Sequence, residues 1–390
     1  MSNKSINHLG CDTISSVVER SRVGVSPLDL ARSDRISNLA LHAPATHGML
    51  RIDCEYEGEI ITSANPVLGS MHRGAEKLFE SRDYRQVIAL ANRHEWLSAF
   101  SGEVGVAQLI ENALGIEVPE SAQWFRTLLL EFNRVTSHLA FLAGFPWRDE
   151  ELILNLRQYR ERWVNHYRTY TGSRMHPMLT RIGGLSHAPS AQWLEEVQHL
   201  CFDTAQIILE TNWLSLVSEY ESVGVLTQTQ AIENAVSGPV ARASGHAIDL
   251  RETVSGLKYS ELESFAVVLQ ASGDVSARML QLVDEVTISL AMISELNEPC
   301  TFHFADEVNV LLPKVVRVPE GNYEHSIETP LGIASWYLVS RNDKMPYRLK
   351  LRPASLHTVL ALSDVLPGSN QNDFDAIVAS LPFIAGDIDR

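Results

Sequence analysis

The sequence predicts an α+β protein: a mainly helical core with a small antiparallel β hairpin near each end. Three observations lead there. Apolar residues alternate with polar ones at 50–56, a strand pattern, and strand-like runs return at 333–340 and 347–351. Helical spacing of apolar residues fills most of what lies between. Strands and helices do not alternate in the way a doubly wound sheet requires. With 390 residues, 45% of them hydrophobic, the chain is long enough for a large core. An N-terminal arm over 1–38, polar and mixed, precedes one domain over 39–390. That domain divides into a hairpin region (39–70), a helical core (71–315) and a C-terminal β/α region (316–390).

The stretch 46–77 organises the chain. Leu50, Ile52, Cys54 and Tyr56 alternate with Arg51, Asp53 and Glu55, so one face of this strand is buried. Glu57-Gly58 supplies the turn, because glycine tolerates positive φ. Ile60 and Ile61 begin the return strand, and Pro66 and Gly69 break it. His47-Gly48 leads into the hairpin and His72-Arg73-Gly74 leads out. The two ends of an antiparallel pair lie close, so both histidine loops are expected to face one region.

Short helices follow at 75–81 and 84–92, then a longer one at 96–114 ended by Gly115. The next helix is punctuated by Pro119 at its start and by Gly144 and Pro146 at its end. Its apolar residues fall on two sides, and Thr127, Glu131, Arg134 and His138 form a polar stripe at three- and four-residue steps. That stripe either faces a polar cavity or makes internal ion pairs. An arginine-rich helix is expected over 149–170 with Arg157, Arg160 and Arg162, a long one over 197–218, and two over 262–295 broken near Gly273. Short helices at 356–366 and 374–381 close the chain.

Composition excludes several function classes. Lys and Arg number 32 against 48 Asp and Glu, a net charge of −16, which suits nucleic-acid phosphates poorly. No run approaches the roughly 20 apolar residues that span a bilayer, and MSNKSINHLG has no apolar signal core. The expectation is a cytoplasmic protein that reaches a membrane only through partners. Cys11, Cys54, Cys201 and Cys300 are scattered without a C-x-x-C, so no self-contained zinc or iron–sulfur site is expected, and no metal ligands are assigned. His94-Glu95 lacks the second histidine of a metalloprotease helix, because Ser98 stands there. Gly102 and Gly105 sit inside a helical pattern, and neither a G-K-[ST] loop nor a G-x-S-x-G elbow occurs. His47, His72, Arg73, Arg93, His176 and Arg181 remain as loop residues that point to a polar, proton-handling pocket.

A set of blocks carries a resemblance. T-H-G-M-L-R at 46–51, E-G-E-I at 57–60, M-H-R-G-A-E-K-L-F-E at 71–80, G-I-E-V-P-E at 115–120 and L-E-F-N-R-V-T-S-H-L at 130–139 resemble the D subunit of NADH–quinone oxidoreductase, respiratory complex I. R-M-H at 174–176, R-I-G-G at 181–184, G-P-V-A-R-A-S-G at 238–245, P-Y-R-L-K-L-R-P-A-S at 346–355 and G-D-I-D-R at 386–390 follow in the same order. The run from Met71 to Trp96 looks most like the divergent second copies of that protein in some bacteria.

The resemblance implies a peripheral subunit on the cytoplasmic side of the cell membrane, with a fold shared with the nickel–iron hydrogenase large subunit but without its metal site. It implies a quinone as substrate and an iron–sulfur cluster on a B-like partner protein. A C-like partner and an H-like membrane partner are implied too, with electron transfer coupled to ion translocation. By the same resemblance His47 matches the histidine that hydrogen-bonds the quinone. Arg93 and His176 match residues near the cluster, the histidine changing protonation with the cluster's redox state. Three positions depart from the family. Ala43 replaces the first histidine of the loop. Trp96 replaces the quinone-binding tyrosine, and an indole N–H donates a hydrogen bond but cannot release a proton. Arg148 replaces an acid, with Asp149 beside it, and an arginine there would repel a protonated His47. These departures raise an alternative: a structural or coupling component that no longer reduces quinone.

Overall fold

The computed structural model describes residues 17–23, 35–36, 43–298 and 307–389. β1 (Val17–Val23), β2 (Arg35–Ile36), β3 (Leu50–Glu57) and β4 (Ile60–Val67) form a sheet in the order β2-β1-β3-β4. The β3–β4 hairpin turns at Gly58, whose φ is 63°. Ile52, Cys54 and Ile61 are fully buried, as the alternation requires. β1 lies within the stretch read as an arm and pairs antiparallel with β3 from Val17 to Val23.

α1 (Ala75–Phe79) and α2 (Tyr84–Ala91) follow, the second capped by the Asp83 carboxylate, which accepts from Gln86 N–H at 3.0 Å. The helix expected from Trp96 begins as a 3-10 turn at Trp96–Ser98 and becomes α3 (Ala99–Leu114), closed by Gly115 in the left-handed region. α4 (Glu120–Gly144) packs against α5 (Glu150–Thr171) and against a later helix, α10 (Val275–Leu296). A two-stranded ribbon, β5 (Thr180–Arg181) and β6 (Gly184–Leu185), precedes α6 (Ala191–Glu210) and α7 (Trp213–Val217). The single helix expected over 197–218 is therefore two. Thr211 turns extended, and the Asn212 side chain accepts from Ser215 N–H to start a new helix.

α8 (Gln228–Glu233) and α9 (Gly238–Ala243) lead to α10. The helix expected before Gly273 is absent, because its backbone bonds elsewhere: Gln270 N–H to Arg242 C=O, Gly273 N–H to Ala243 C=O, and Leu226 N–H to Gly273 C=O. β7 (Gly321–Thr329), β8 (Gly332–Ser340) and β9 (Arg348–Arg352) make an antiparallel sheet. β7 leaves no sequence signal because only its last three residues are buried. α11 (Ala354–Leu360), α12 (Leu362–Val365), α13 (Phe374–Ala379) and α14 (Ala385–Ile388) end the chain. Backbone bonds between Ile61 and residues 368–369 tie this C-terminal part to the first hairpin.

The polar stripe of α4 resolves as internal ion pairs. Glu131 accepts from Tyr259 Oη and Ser289 Oγ at 2.7 Å each and pairs with Arg134 and Arg251. His138 Nε2 lies 2.9 Å from Glu285, which also takes Arg242 Nε at 2.8 Å. Burial pushes the Glu285 carboxyl up, but Arg242 and His138 outweigh it and hold its pKa well below the usual range. Cys54 and Cys201 are buried, and burial pushes the Cys201 thiol up to about 12. Cys11 and Cys300 lie outside the described residues. Among the described residues no helix is long and apolar enough to cross a membrane.

Candidate functional site

The loop before β3 is fixed from two sides. A 3-10 turn at Pro44–Thr46 is closed by Thr46 Oγ1 donating to Ala43 C=O at 2.7 Å. Gly144, the last residue of α4, presses on this turn: a Cβ there would lie 2.7 Å from Pro44 Cδ and 2.9 Å from Ala43 Cα. Gly48, at φ 129°, meets Ala385 of the C-terminal segment in the same way. His47 is thus clamped between the end of α4 and the C-terminal segment. Gly144→Ala is expected to push this turn away and to lower stability by roughly 1–3 kcal/mol. Thermal unfolding checks it, and an unchanged transition would show that the turn has room to move.

His47 stacks on Trp96, with ring centroids 5.1 Å apart and planes inclined at 26°. Both line a cavity of about 720 Å³. Pro44, Leu97, Ala140 and Ala143 give it an apolar wall, and α5 contributes Arg157, Gln158, Arg160, Glu161 and Arg162. A cavity of this size, mostly apolar with a few polar groups, is the usual form of a small-molecule site.

The other predicted residues fall in separate places. Arg148 does not line the cavity. Its side chain is 85% exposed and pairs with Glu219 at 2.8 Å, because the α4–α5 connection carries it outward. Asp149 accepts from Leu152 N–H at 3.0 Å and caps α5. The Arg148 charge is thus met by Glu219, outside the cavity that His47 lines. His72 and Arg73 are exposed and do not line the cavity. The two histidine loops meet instead through the C-terminal segment: Ala385 touches Gly48, and Asp389 accepts from Gly69 and Met71 N–H at 2.7 Å each.

Arg93 and His176 come together beside Asn92. His176 Nδ1 lies 3.1 Å from the Asn92 carbonyl oxygen, which only accepts, so that nitrogen carries the proton. Burial, and then the Arg93 charge, push the His176 pKa below its ordinary value, leaving a neutral ring at pH 7. Buried Glu103 holds this corner, accepting from Asn92 Nδ2, Met178 N–H and Thr180 N–H at 2.8–3.0 Å. Arg181 lines a different groove and donates to its own loop carbonyls.

Sequence reasoning misses Glu95 and Asp387. Glu95 is buried beside Trp96, with Ser98 Oγ donating to it. Burial and the Asp387 carboxylate push its pKa up to about 8. His94 Nδ1 stands 3.9 Å from Asp387. The adjacent His94-Glu95 pair is the only signal in the sequence, and its spacing speaks to a metal motif rather than to a buried acid.

Residues 152–390 match the family described as respiratory-chain NADH dehydrogenase, 49 Kd subunit. The chain is 42% identical over 370 residues to the second D subunit of the NADH-quinone oxidoreductase of Salinispora arenicola, covering 92% of this chain and 94% of that one. It is 44% identical over 370 residues to the first D subunit of the NADH-quinone oxidoreductase of Streptomyces coelicolor, covering 92% and 96%. A chain in the solved structure of the membrane-bound sulfane sulfur reductase, an archaeal respiratory membrane complex, superposes with a TM-score of 0.83. It is 28% identical, and the match covers 96% of this chain and 98% of that one.

Proposed function

We propose, since this chain belongs to the family of NADH-quinone oxidoreductase D subunits, that it lines the quinone site of such a multisubunit oxidoreductase. The observation that carries this reading is the His47–Trp96 stack on the wall of the 720 Å³ cavity. A quinone ring is flat and apolar with a hydrogen-bond acceptor at each end. An apolar cavity with an imidazole and an indole on one wall suits it.

Reduction of a quinone to a quinol takes two electrons and two protons. The electrons come singly from a terminal iron–sulfur cluster held by a B-like neighbour. Trp96 can hold a quinone oxygen through its N–H but cannot supply a proton. Glu161 is occupied by Arg174, whose two Nη atoms lie 2.7 and 2.6 Å away. That leaves His47 as the lining residue suited to passing a proton to the ring. Arg93 and His176 form the corner that faces the cluster. A neutral imidazole there takes up a proton when an added electron raises its pKa. A C-like neighbour and an H-like membrane neighbour complete the surroundings, on the cytoplasmic side of the membrane, and the redox step drives ion translocation. NADH and metals are bound by other components of the complex.

The test is quinone reduction by the complex purified through this chain. His47→Ala is expected to lower kcat/KM by about tenfold to a thousandfold, the range for one positioned proton donor with its hydrogen bond. Unchanged turnover removes the reading. A wild-type complex that reduces no quinone would instead favour the rival that Trp96 raises, a coupling component whose cavity no longer takes quinone.

A further inference from the structure

The proposed quinone cavity contains a guanidinium that the described residues do not satisfy. Three arginines of α5 line it, against one acid, Glu161. Glu161 is bound by both Nη atoms of Arg174 and by Asn165 Nδ2 at 2.9 Å. Arg162 pairs with Asp203 and covers the Tyr159 ring. Arg160 makes no hydrogen bond among the described residues, and its Nε is buried with no partner. Burial pulls its pKa down from the usual arginine value, more than Glu161 raises it. A partly buried cation whose neighbouring acid is already held by another arginine is costly, and an anion brought by the ligand offsets that cost. The guanidinium fork matches an oxyanion well.

We propose, resting on the quinone reading of the cavity, that Arg160 is the receptor for a negative charge on the bound ring. The site then binds the oxyanion form of a quinone-type ligand more tightly than the neutral form. This also gives Arg160 a place in the reaction. One electron added to a neutral quinone leaves one negative charge on its oxygens until a proton arrives. Arg160 is a fixed cation that stabilises this charge without any proton transfer of its own. The indole of Trp96 cannot supply that charge.

The probes are 2-hydroxy-1,4-naphthoquinone, an anion at pH 7, and its neutral 2-methoxy ether, of nearly the same shape. Binding of each is measured on the complex purified through this chain. The wild type should favour the anion by about tenfold, the scale of one charge-assisted hydrogen bond. Arg160→Gln should abolish that preference and leave the affinity for the ether unchanged. Arg160→Lys should keep part of it, because the charge remains and the fork is lost. An unchanged melting transition of both variants confirms that they fold. If the wild type binds both probes equally, or Arg160→Gln keeps the preference, the assignment of Arg160 is wrong while the quinone cavity stands. If the wild type binds neither probe, the quinone reading falls and takes the Arg160 assignment with it.

Discussion

Replacing Arg242 with alanine lowers the stability of the chain by about 3–5 kcal/mol, the cost of removing one partner from a buried ion network. Arg242 is fully buried in α9. Its Nε donates to Glu285 at 2.8 Å, and its Nη1 donates to Glu328 at 2.9 Å and to the Ile248 carbonyl at 3.0 Å. Asp249 lies 3.3 Å away. The arginine is therefore the shared counter-charge of three carboxylates from three parts of the chain. Without it Glu285 keeps the His138 hydrogen bond and the more distant Arg134 charge, at 3.8 Å. Burial already pushes the Glu328 pKa up, and losing Arg242, which holds it down, raises it further. Denaturant unfolding at pH 7 measures the loss. Arg242→Lys should recover part of it, because a lysine keeps the charge but not the two-sided fork. A loss below about 1 kcal/mol for alanine would mean that the network adds no more than an exposed ion pair does.

Glu95 makes the protein less stable as the pH rises. Its carboxyl titrates at about 8 in the folded chain against 4.5 when unperturbed. Between those two values the folded state holds a proton that the unfolded state has lost. This group's contribution to folding is therefore complete below pH 4.5 and falls steadily up to pH 8. At about 1.4 kcal/mol per unit, the fall is on the order of 5 kcal/mol across that window. The charged and titratable groups facing Glu95 are Asp387 from α14 and Arg134 from α4, with His94 beside Asp387. Urea midpoints taken from pH 5 to 9 should drop less in Glu95→Gln than in the wild type, and the variant should be the more stable protein at pH 8 and above. Asp387→Asn should make the drop smaller and end it at a lower pH. It removes a negative neighbour that raises Glu95, so the folded-state carboxyl ionises sooner. Parallel curves for wild type and Glu95→Gln would refute the assignment.

Much of the architecture is legible along the chain. The 50–56 alternation, Pro119, Gly115 and the two ends of α4 are local signals, and local rules decide them. The elements that the sequence misplaces depend on distant partners. The stretch before Gly273 has helical spacing, yet its backbone is bonded to Arg242, Ala243 and Leu226. β7 is polar along most of its length and is held by pairing with β8. Within the site, His47 and Trp96 are legible as members of matching motifs. Motif position alone puts Arg148 in the cavity, and the structure turns it outward to Glu219.

From the sequence alone come the α+β class, the order of most elements, the family and the candidate residues. Those follow from periodicity, turn chemistry and motif order, which are properties of neighbours in the chain. The tertiary structure alone decides which charges are buried pairs and which line the cavity. Arg242 meets Glu285 and Glu328 across 43 and 86 residues. Arg160 is left without a hydrogen-bond partner among the described residues because Arg174 reaches Glu161 first. An ion pair depends on distance in space, and spacing along a chain does not report it.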